Sequence, residues 1–289
     1  MRATNVPVCT SSQSSDSQHF ALMQPSGVIT ITTDFGHKGP FAAVMKGVIV
    51  SRFPGATVID LAHDIPAQWP PEAGFWVSRS YRYFPRGTVH IAIVDPGVGT
   101  ERDILIVEYD GHYFMAPDNG LLAQMLDDAD GAAVFKLDFD SLSRLGIGVP
   151  SATFHGRDIF APIAAELAAG RTRPVAIGTA TCEWVPAWLD PPKATDGSVS
   201  GVIVTVDTFG NLISNIDSAL IDGFSEPVAR IAEHQIPMLT TYGRAKPGEY
   251  LALINSFGVV EIARAESNAA EGLGSERGAP LRVTDGYDT

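Results

Sequence analysis

The chain has 289 residues, of which 45% are hydrophobic and 18% charged, so it can bury a full core, and its length predicts two domains. Its 33 acidic and 20 basic residues give a formal net charge of −13, which argues against nucleic acid or an anionic membrane as a partner, because phosphate binding needs a basic surface. Two cysteines, Cys9 and Cys182, make no disulfide framework and no metal cluster, which favours a reducing cytoplasm. No apolar run approaches the length of a membrane span.

Residues 1–26 are rich in serine and threonine and contain no hydrophobic stretch. This composition predicts a flexible tail without chemistry and is not that of a secretory signal peptide. Alternatively, Met23 is the true initiator.

β-Branched runs alternate with helically spaced apolar residues in the next part of the chain. The predicted elements are a strand at 27–34, a helix at 40–53, a strand at 56–61, a helix at 72–83 and a strand at 88–94. This order predicts an α/β N-terminal domain over residues 27–190 with a mainly parallel central sheet. Ligands of such sheets bind beyond the carboxyl ends of the strands, where Asp34 and Asp95 lie, although aspartates there are also common helix N-caps.

A hairpin is predicted from 104–109 and 113–116 around Asp110-Gly111, and a helix at 159–169. The proline-rich stretch 191–199 is the predicted linker. Beyond it, short strands with little helix between them predict a smaller C-terminal all-β, barrel-like domain over residues 200–289. These strands are placed at 201–206, 228–231, 250–254, 259–264 and 280–283.

Two motifs of the first domain carry chemistry. In residues 94–102, Asp95 ends a β-branched run, a glycine-rich turn follows, and Arg102 comes seven residues later; a second motif supplies His155. A neighbouring guanidinium keeps a carboxylate ionised, and imidazole titrates near working pH, so the three side chains could fix and activate a water molecule. The alternatives are a packed His155 that caps the following helix and an Arg102 in a surface ion pair.

Two motifs of the second domain allow two interpretations each. Asp207, Phe209 and Asn211 could pair with an ammonium, stack on a purine and bond its polar edge, but the same segment with Gly210 is also typical of a hairpin turn. Residues 255–258 by themselves would pass for a turn.

Six segments in the same order resemble the S-adenosyl-L-methionine (SAM) hydroxide adenosyltransferases, relatives of fluorinases and chlorinases. The segments are Thr-Thr-Asp-Phe-Gly at 32–36, Val-Asp-Pro-Gly-Val-Gly at 94–99, Ala-Pro-Asp-Asn-Gly-Leu at 116–121, Phe-His-Gly-Arg-Asp at 154–158, Phe-Gly-Asn at 209–211, and Ser-Phe-Gly at 256–258 followed by Glu-Ile-Ala at 261–263. The resemblance covers nearly the whole chain after the tail.

The resemblance implies a homotrimer in which each site lies between the first domain of one subunit and the second domain of its neighbour. It also implies the reaction, in which water or hydroxide displaces methionine from the ribose 5′ carbon and yields adenosine and L-methionine. Asp95, Arg102 and His155 match the Asp–Arg–His group of the hydrolysing branch, whereas the halogenating relatives lack the carboxylate and the imidazole. The remaining alternatives are a halide-dependent adenosyltransferase and a sensor that binds adenosine or SAM with negligible turnover.

The resemblance further implies a set of substrate contacts. They are Asp34 and Trp69 at the ribose, Phe154 beside the catalytic group, Asp207 at the methionine ammonium, Phe209 and Asn211 at the purine, Ser256 and Phe257 in a carboxylate-binding turn, Glu261, and Arg264 and Glu266 where the barrel backbone meets adenine. Glu261 could equally be a structural residue of an alternating strand, and Asp118 is better explained as a turn residue. Because the histidines show no metal spacing, we expect neither a metal nor a redox cofactor.

Overall fold

The computed structural model describes residues 23–286, so most of the predicted tail and Cys9 lie outside the described residues. The chain divides between Trp188 and Leu189 into two compact units, here the N-terminal unit and the C-terminal unit. Within the described residues, no helix is both long and apolar enough to cross a membrane.

In the described part of the N-terminal unit, seven strands form one sheet. They are β1 (Val28–Thr33), β2 (Thr57–Ala62), β3 (Val89–Ile93), β4 (Ile104–Tyr109), β5 (His112–Pro117), β6 (Ala133–Leu137) and β7 (Gly178–Ala180), in the order β2-β1-β3-β5-β4-β6-β7. The pairings β2–β1, β1–β3 and β3–β5 are parallel, whereas β5–β4, β4–β6 and β6–β7 are antiparallel. The sheet is therefore mixed, and the prediction of a mainly parallel sheet is wrong.

The antiparallel half has a local cause. β4 and β5 are joined by Asp110 and Gly111, which have φ angles of +46° and +74°, the pattern of a tight hairpin turn that reverses the chain. Two further strands, β6 and β7, then add to the free edge of β4. Both were absent from the sequence prediction.

Helices cover the sheet of the N-terminal unit. They are α1 (Phe41–Arg52), α2 (Pro70–Ser80), α3 (Ala123–Asp127), α4 (Ser141–Arg144), α5 (Ala161–Ala168) and α6 (Pro174–Ile177), with a π-helical turn at Gly156–Phe160 that leads into α5. One apolar cluster packs α1 and α5 on one face of the sheet, and a second packs α2 and α3 on the other. The sheet is thus buried on both sides, and even the polar residues Thr30 and Thr32 of β1 and His90 of β3 are buried.

The sheet register positions the predicted carboxylates. In the parallel pairing of β1 and β3, Thr33 lies opposite Ile93. Asp34 and Asp95 therefore leave the sheet at the same edge, beyond the carboxyl ends of two adjacent strands.

In the described C-terminal unit, eight strands form a nearly closed, barrel-like sheet. They are β8 (Lys193–Thr195), β9 (Ser198–Val206), β10 (Leu212–Asp217), β11 (Pro227–Ile231), β12 (His234–Pro237), β13 (Tyr250–Ile254), β14 (Val259–Arg264) and β15 (Pro280–Asp285), and a short helix, α7 (Ala269–Leu273), precedes β15. The order is β12-β11-β15-β9-β10-β14-β13, with β8 on β9, and a bridge from Met238 to Ala252 brings the two ends together. The predicted linker, residues 191–199, contains β8 and the start of β9.

Of the two cysteines, Cys9 lies outside the described residues, so the interpretation that they indicate a reducing compartment is not tested. The predicted cytoplasmic location stays a prediction.

Candidate active site

A small cavity of about 180 Å³ opens at the sheet edge where Asp34 and Asp95 leave β1 and β3. We call it the N-terminal cavity. It is lined by Asp34, Phe35, Phe41, Ile93, Asp95, Val98, Thr153, Phe154, His155 and Gly156. Three of the sequence motifs, 32–36, 94–99 and 154–158, thus meet at one place.

Asp95 and Arg102 form a nearly buried ion pair at this cavity. The Arg102 Nε atom lies 2.9 Å from each Asp95 carboxylate oxygen, and Nη2 donates a further hydrogen bond to Oδ2. Only 5% of the Asp95 side chain and 9% of the Arg102 side chain are exposed. A forked guanidinium contact of this kind fixes the direction of the carboxylate as well as its charge. It is not the surface ion pair that the sequence left open for Arg102.

The turn that carries Asp95 requires a glycine. Gly99 has a φ angle of +79°, and a Cβ atom there would lie 2.1 Å from the carbonyl oxygen of Ala152. The close approach brings the turn against the segment that precedes His155. The glycine-rich spacing between Asp95 and Arg102 therefore serves packing near the cavity.

His155 receives a hydrogen bond from the same guanidinium. Arg102 Nη2 lies 3.1 Å from His155 Nδ1. Because a guanidinium can only donate, Nδ1 accepts, and the neutral ring carries its proton on Nε2. Burial, and secondly the charge of Arg102, lower the pKa of His155 below its ordinary value, which favours this neutral form. His155 precedes the π-helical turn but makes no side-chain capping bond to it, so the capping alternative is not what the structure has.

Asp34 lines the same cavity as Asp95 and His155. Its Oδ2 atom accepts a hydrogen bond of 3.2 Å from the backbone N–H of Gln68, a residue with a φ angle of +61°. Burial raises the pKa of Asp34, backbone N–H groups oppose that shift, and the charge of Asp95 adds to it. Trp69, the predicted ribose contact, is the residue after Gln68. Its ring packs edge-to-face on that of Trp188, with ring centroids 6.1 Å apart.

Three phenylalanines form an aromatic wall of the N-terminal cavity. The ring centroids of Phe35, Phe41 and Phe154 lie 5.5–6.0 Å apart in edge-to-face pairs. Phe154 was predicted from the sequence as a site residue, whereas Phe35 and Phe41 were not. Phe35 follows Asp34 inside the motif at 32–36, so its position in the sequence could have identified it as a cavity residue. Phe41 has the spacing of an ordinary apolar residue at the start of α1, so no sequence feature distinguished it.

A second and larger cavity of about 580 Å³ lies in the C-terminal unit, and we call it the C-terminal cavity. It is lined by Asp207, Phe209, Asn211, Tyr242, Arg264, Ala265, Glu266 and Ser267. Five of these are predicted site residues from two separate motifs. Tyr242 was missed, because its surroundings in the sequence form no recognisable motif.

Asp207 organises the loop that carries two of these residues. One carboxylate oxygen accepts the backbone N–H groups of Phe209 and Asn211 at 2.9 Å, and the other accepts the Asn211 side-chain amide at 3.0 Å. The loop joins β9 to β10, with Gly210 at a φ angle of +84°. A hairpin turn, one of the two interpretations, is therefore present, and it displays the Phe209 ring with 77% of its surface exposed.

Glu261 lies inside the C-terminal unit and is only 3% exposed. Tyr242 donates a hydrogen bond of 2.6 Å to one carboxylate oxygen, and Asn255 Nδ2 lies 3.1 Å from the other. Burial raises the pKa of Glu261. The structure thus favours the structural alternative for this residue, which holds Tyr242 at the edge of the cavity.

The other predicted contact residues of the C-terminal unit lie in the β13–β14 turn and at the end of β14. Ser256 and Phe257 lie in the turn between β13 and β14, where the N–H of Phe257 donates to Asn255 Oδ1 at 3.0 Å. Arg264 donates from Nε to the carbonyl of Gly248 at 3.0 Å, and Glu266 has a φ angle of +55°.

Among residues 23–286, no group of three or more His, Cys, Asp or Glu side chains is arranged to hold a metal ion. At the N-terminal cavity, Asp95 and His155 are instead hydrogen-bonded to Arg102.

Comparison with known proteins identifies the family. The family model of the SAM hydroxide adenosyltransferase N-terminal domain matches residues 29–178. The family model of the C-terminal domain matches residues 201–282. The chain belongs to the SAM hydroxide adenosyltransferase family. The resemblance read from six short segments is thereby confirmed.

Relatives of this adenosyltransferase match over most of their length. It is 36% identical to the (R)-S-adenosyl-L-methionine hydrolase of Thermus thermophilus, over 87% of this chain and 97% of that protein. It is 25% identical to the fluorinase of Actinopolyspora mzabensis, over 89% of this chain and 97% of that protein. A solved structure of an uncharacterised conserved protein from Thermotoga maritima superimposes with a TM-score of 0.81 at 30% identity, over 89% of this chain and 99% of that one.

Proposed function

We propose that this adenosyltransferase hydrolyses S-adenosyl-L-methionine to adenosine and L-methionine, with water as the nucleophile at the ribose 5′ carbon. The observation that carries the proposal is the Asp95–Arg102–His155 group at the wall of the N-terminal cavity. The names of the hydrolase relatives support the substrate.

In the proposed step, the water oxygen forms a bond to the 5′ carbon while the carbon–sulfur bond breaks. The electron pair of that bond goes to sulfur, which leaves as the neutral thioether of methionine, so the leaving group needs no acid. The water proton goes to the Asp95 carboxylate and then to solvent. The remaining task is to hold the oxygen in line with the carbon–sulfur bond and to exclude competing solvent.

The hydrogen bonds support different proposed roles for Asp95 and His155. Since His155 Nδ1 accepts from Arg102, the proton on Nε2 makes this ring a donor toward a water oxygen. The carboxylate of Asp95 is then the group that accepts a water proton, although Arg102 also occupies part of its acceptor capacity. One acceptor and one donor that both contact a water molecule would define its orientation.

The aromatic wall suits a cationic sulfonium substrate. The faces of aromatic rings attract cations, and the carboxylates of Asp34 and Asp95 outnumber the guanidinium of Arg102 around the cavity. The apolar rings also keep out bulk water, which would otherwise compete for the nucleophile's position. The C-terminal cavity supplies an exposed aromatic ring and amide groups for a purine.

The relatives' names point to one sulfonium epimer. The sulfur of the substrate is a stereocentre, and the similar hydrolases are named for the (R) form. We propose the (R) epimer as the preferred substrate of this chain as well.

The deciding experiment supplies each sulfonium epimer separately to purified protein in oxygen-18 water and identifies the products by mass spectrometry. Adenosine with the heavy oxygen at its 5′ position, together with methionine and formed faster from the (R) epimer, is the expected result. A halogenated nucleoside formed in the presence of fluoride or chloride would replace the proposal with a halide-dependent adenosyltransferase. Tight binding without turnover would replace it with a sensor.

His155→Gln and His234→Gln form a matched pair for the same assay. His234 is an exposed histidine of the C-terminal unit and belongs to neither predicted motif. We expect turnover to be lost only in His155→Gln. A homotrimer with sites between subunits stays a prediction, which sedimentation velocity would test directly.

A further inference from the structure

One recognised motif, residues 116–121, has no part in the chemistry described so far. It forms the end of β5 and the turn that follows, and the sequence analysis assigned Asp118 there to a turn. Its contacts, however, lead to the peptide bond immediately before Asp95.

The side chain of Asn119 bonds to the end of β3. Its Nδ2 atom donates to the carbonyl oxygen of Val94 at 2.8 Å, and its Oδ1 atom accepts the backbone N–H of Leu121 at 3.2 Å. The two contacts together fix which end of the amide faces Val94. Val94 is fully buried, so its carbonyl needs a partner within the protein.

The sheet ladder stops short of this carbonyl. The recorded pairing of β3 with β5 ends at Ile91 and Met115, and the last residue of β5 is Pro117, which has no N–H to donate. At Val94, the side chain of Asn119 therefore donates the hydrogen bond to the carbonyl oxygen that a backbone N–H of a neighbouring strand would donate within the sheet.

The turn that carries Asn119 is itself held from a second segment. Asp118 Oδ1 accepts the N–H of Val185 at 2.8 Å, and the carbonyl of Asn119 accepts the indole N–H of Trp188 at 2.7 Å. Gly120, with a φ angle of +88°, allows this approach, because a Cβ atom there would lie 2.5 Å from the carbonyl oxygen of Pro186. The turn is thus anchored on both sides.

We infer that Asn119 is a positioning residue for Asp95, holding the peptide bond from which the Asp95 side chain projects toward the water. The inference rests on the proposed function of Asp95. It assigns to the motif at 116–121 a role in turnover, distinct from substrate binding, since Asn119 does not line the N-terminal cavity among the residues described.

The test is Asn119→Asp, which keeps the shape of the side chain but places an oxygen against the Val94 carbonyl. We expect kcat to fall about tenfold to a hundredfold, the size of effect that follows a small displacement of a reacting group. KM should change less than about threefold, because the substrate contacts are untouched. Asn119→Ala removes the hydrogen bond to Val94 without adding a charge, and it should also lower kcat. It replaces Asn119→Asp as the test if that variant does not fold.

The chain offers a matched control in Asn215 of the C-terminal unit. Its side chain also bridges a backbone N–H, that of Val202 at 2.8 Å, and a backbone carbonyl, that of Asp190 at 3.2 Å. Asn215→Asp should therefore cost comparable stability, read as the thermal midpoint, while kcat stays near the wild-type value.

Three outcomes would count against the inference in distinguishable ways. Wild-type kcat in folded Asn119→Asp and Asn119→Ala would overturn it while leaving the proposed function intact. An equal loss of kcat in Asn215→Asp would reduce the effect to general destabilisation and overturn it as well. Absence of turnover in the wild-type enzyme with either epimer would overturn the proposed function, and this inference with it.

Discussion

The N-terminal and C-terminal cavities hold their polar groups in opposite ways. In the N-terminal cavity, the Asp95–Arg102 pair is nearly buried and linked to His155, and aromatic rings form the wall. The C-terminal cavity is larger and is lined by loop residues, with the Phe209 ring exposed and Asp207 engaged by its own loop. A rigid charged group suits a reaction step, whereas an exposed ring on a loop suits recognition of a flat ligand.

We expect loss of a reacting group in the first cavity to lower kcat and loss of the exposed ring in the second to raise KM. Asp95→Asn and Phe209→Ala test that division, and changes at His90 and Glu266 test the stability of the two units, from the largest expected effect to the smallest.

Asp95→Asn should have the largest effect. The amide cannot take a proton from water, and the loss of a general base lowers kcat by about a thousandfold. Initial rates with the (R) epimer would show this, with Asp64→Asn as the control, since the Asp64 side chain is 75% exposed. A kcat within a few-fold of wild type would remove Asp95 from the mechanism.

Acid should weaken the N-terminal unit through His90. Burial lowers the pKa of His90 to about 3, and its ring is bonded to Thr30 and His112. Below the ordinary pKa of 6.5, His90 is protonated in the unfolded chain but stays neutral in the folded protein. The free energy of unfolding therefore falls as pH decreases toward 3. The loss from this group between pH 7 and pH 4 should be about 3 kcal/mol.

Denaturant unfolding at the two pH values would measure this loss, and hydrogen exchange would locate it. The histidine of the C-terminal unit, His234, is exposed, so that unit should respond much less. In His90→Gln the pH dependence should decrease, and burial of His112 and His155, which also lowers their pKa values, accounts for the remaining histidine contribution. An unchanged dependence in that variant would assign acid sensitivity to other groups.

Phe209→Ala should raise KM about tenfold, because stacking of a base on an aromatic ring contributes roughly 1–3 kcal/mol. We expect kcat to change little, since the ring lies in the C-terminal cavity. Steady-state kinetics would separate the two constants, and Phe139→Ala, at a ring 44% exposed, is the control for removal of a surface aromatic. A fall in kcat with constant KM would contradict the proposed division between the cavities.

Glu266→Gly should have the smallest effect. Glu266 has a φ angle of +55°, which glycine adopts without strain, so the free energy of unfolding should rise by about 0.5 kcal/mol. If adenine meets the backbone here, KM should stay close to wild type. A large rise in KM would instead show that the Glu266 carboxylate contacts the substrate.

Much of the fold could be predicted from local patterns. The strands predicted at 250–254 and 259–264 coincide with β13 and β14, and the predicted helix at 40–53 becomes α1 with one residue less at each end. Strand β10 was missed, because the polar residues Ser214 and Asn215 interrupt its apolar pattern although both are buried. β7 has only three residues, too few for any periodicity.

The sequence by itself determined the order of the motifs, the residue types at the candidate site and the family. These are properties of short contiguous segments and of their order, which can be recognised without a structure. Tertiary structure alone decided that β6 and β7 extend the antiparallel half of the N-terminal sheet beyond the predicted hairpin, since no local pattern specifies which edge of a sheet a strand joins. It also decided which nitrogen of His155 accepts from Arg102, and that Asn119 reaches the carbonyl of Val94. These contacts join residues far apart in the chain, and no local pattern encodes the distance between them.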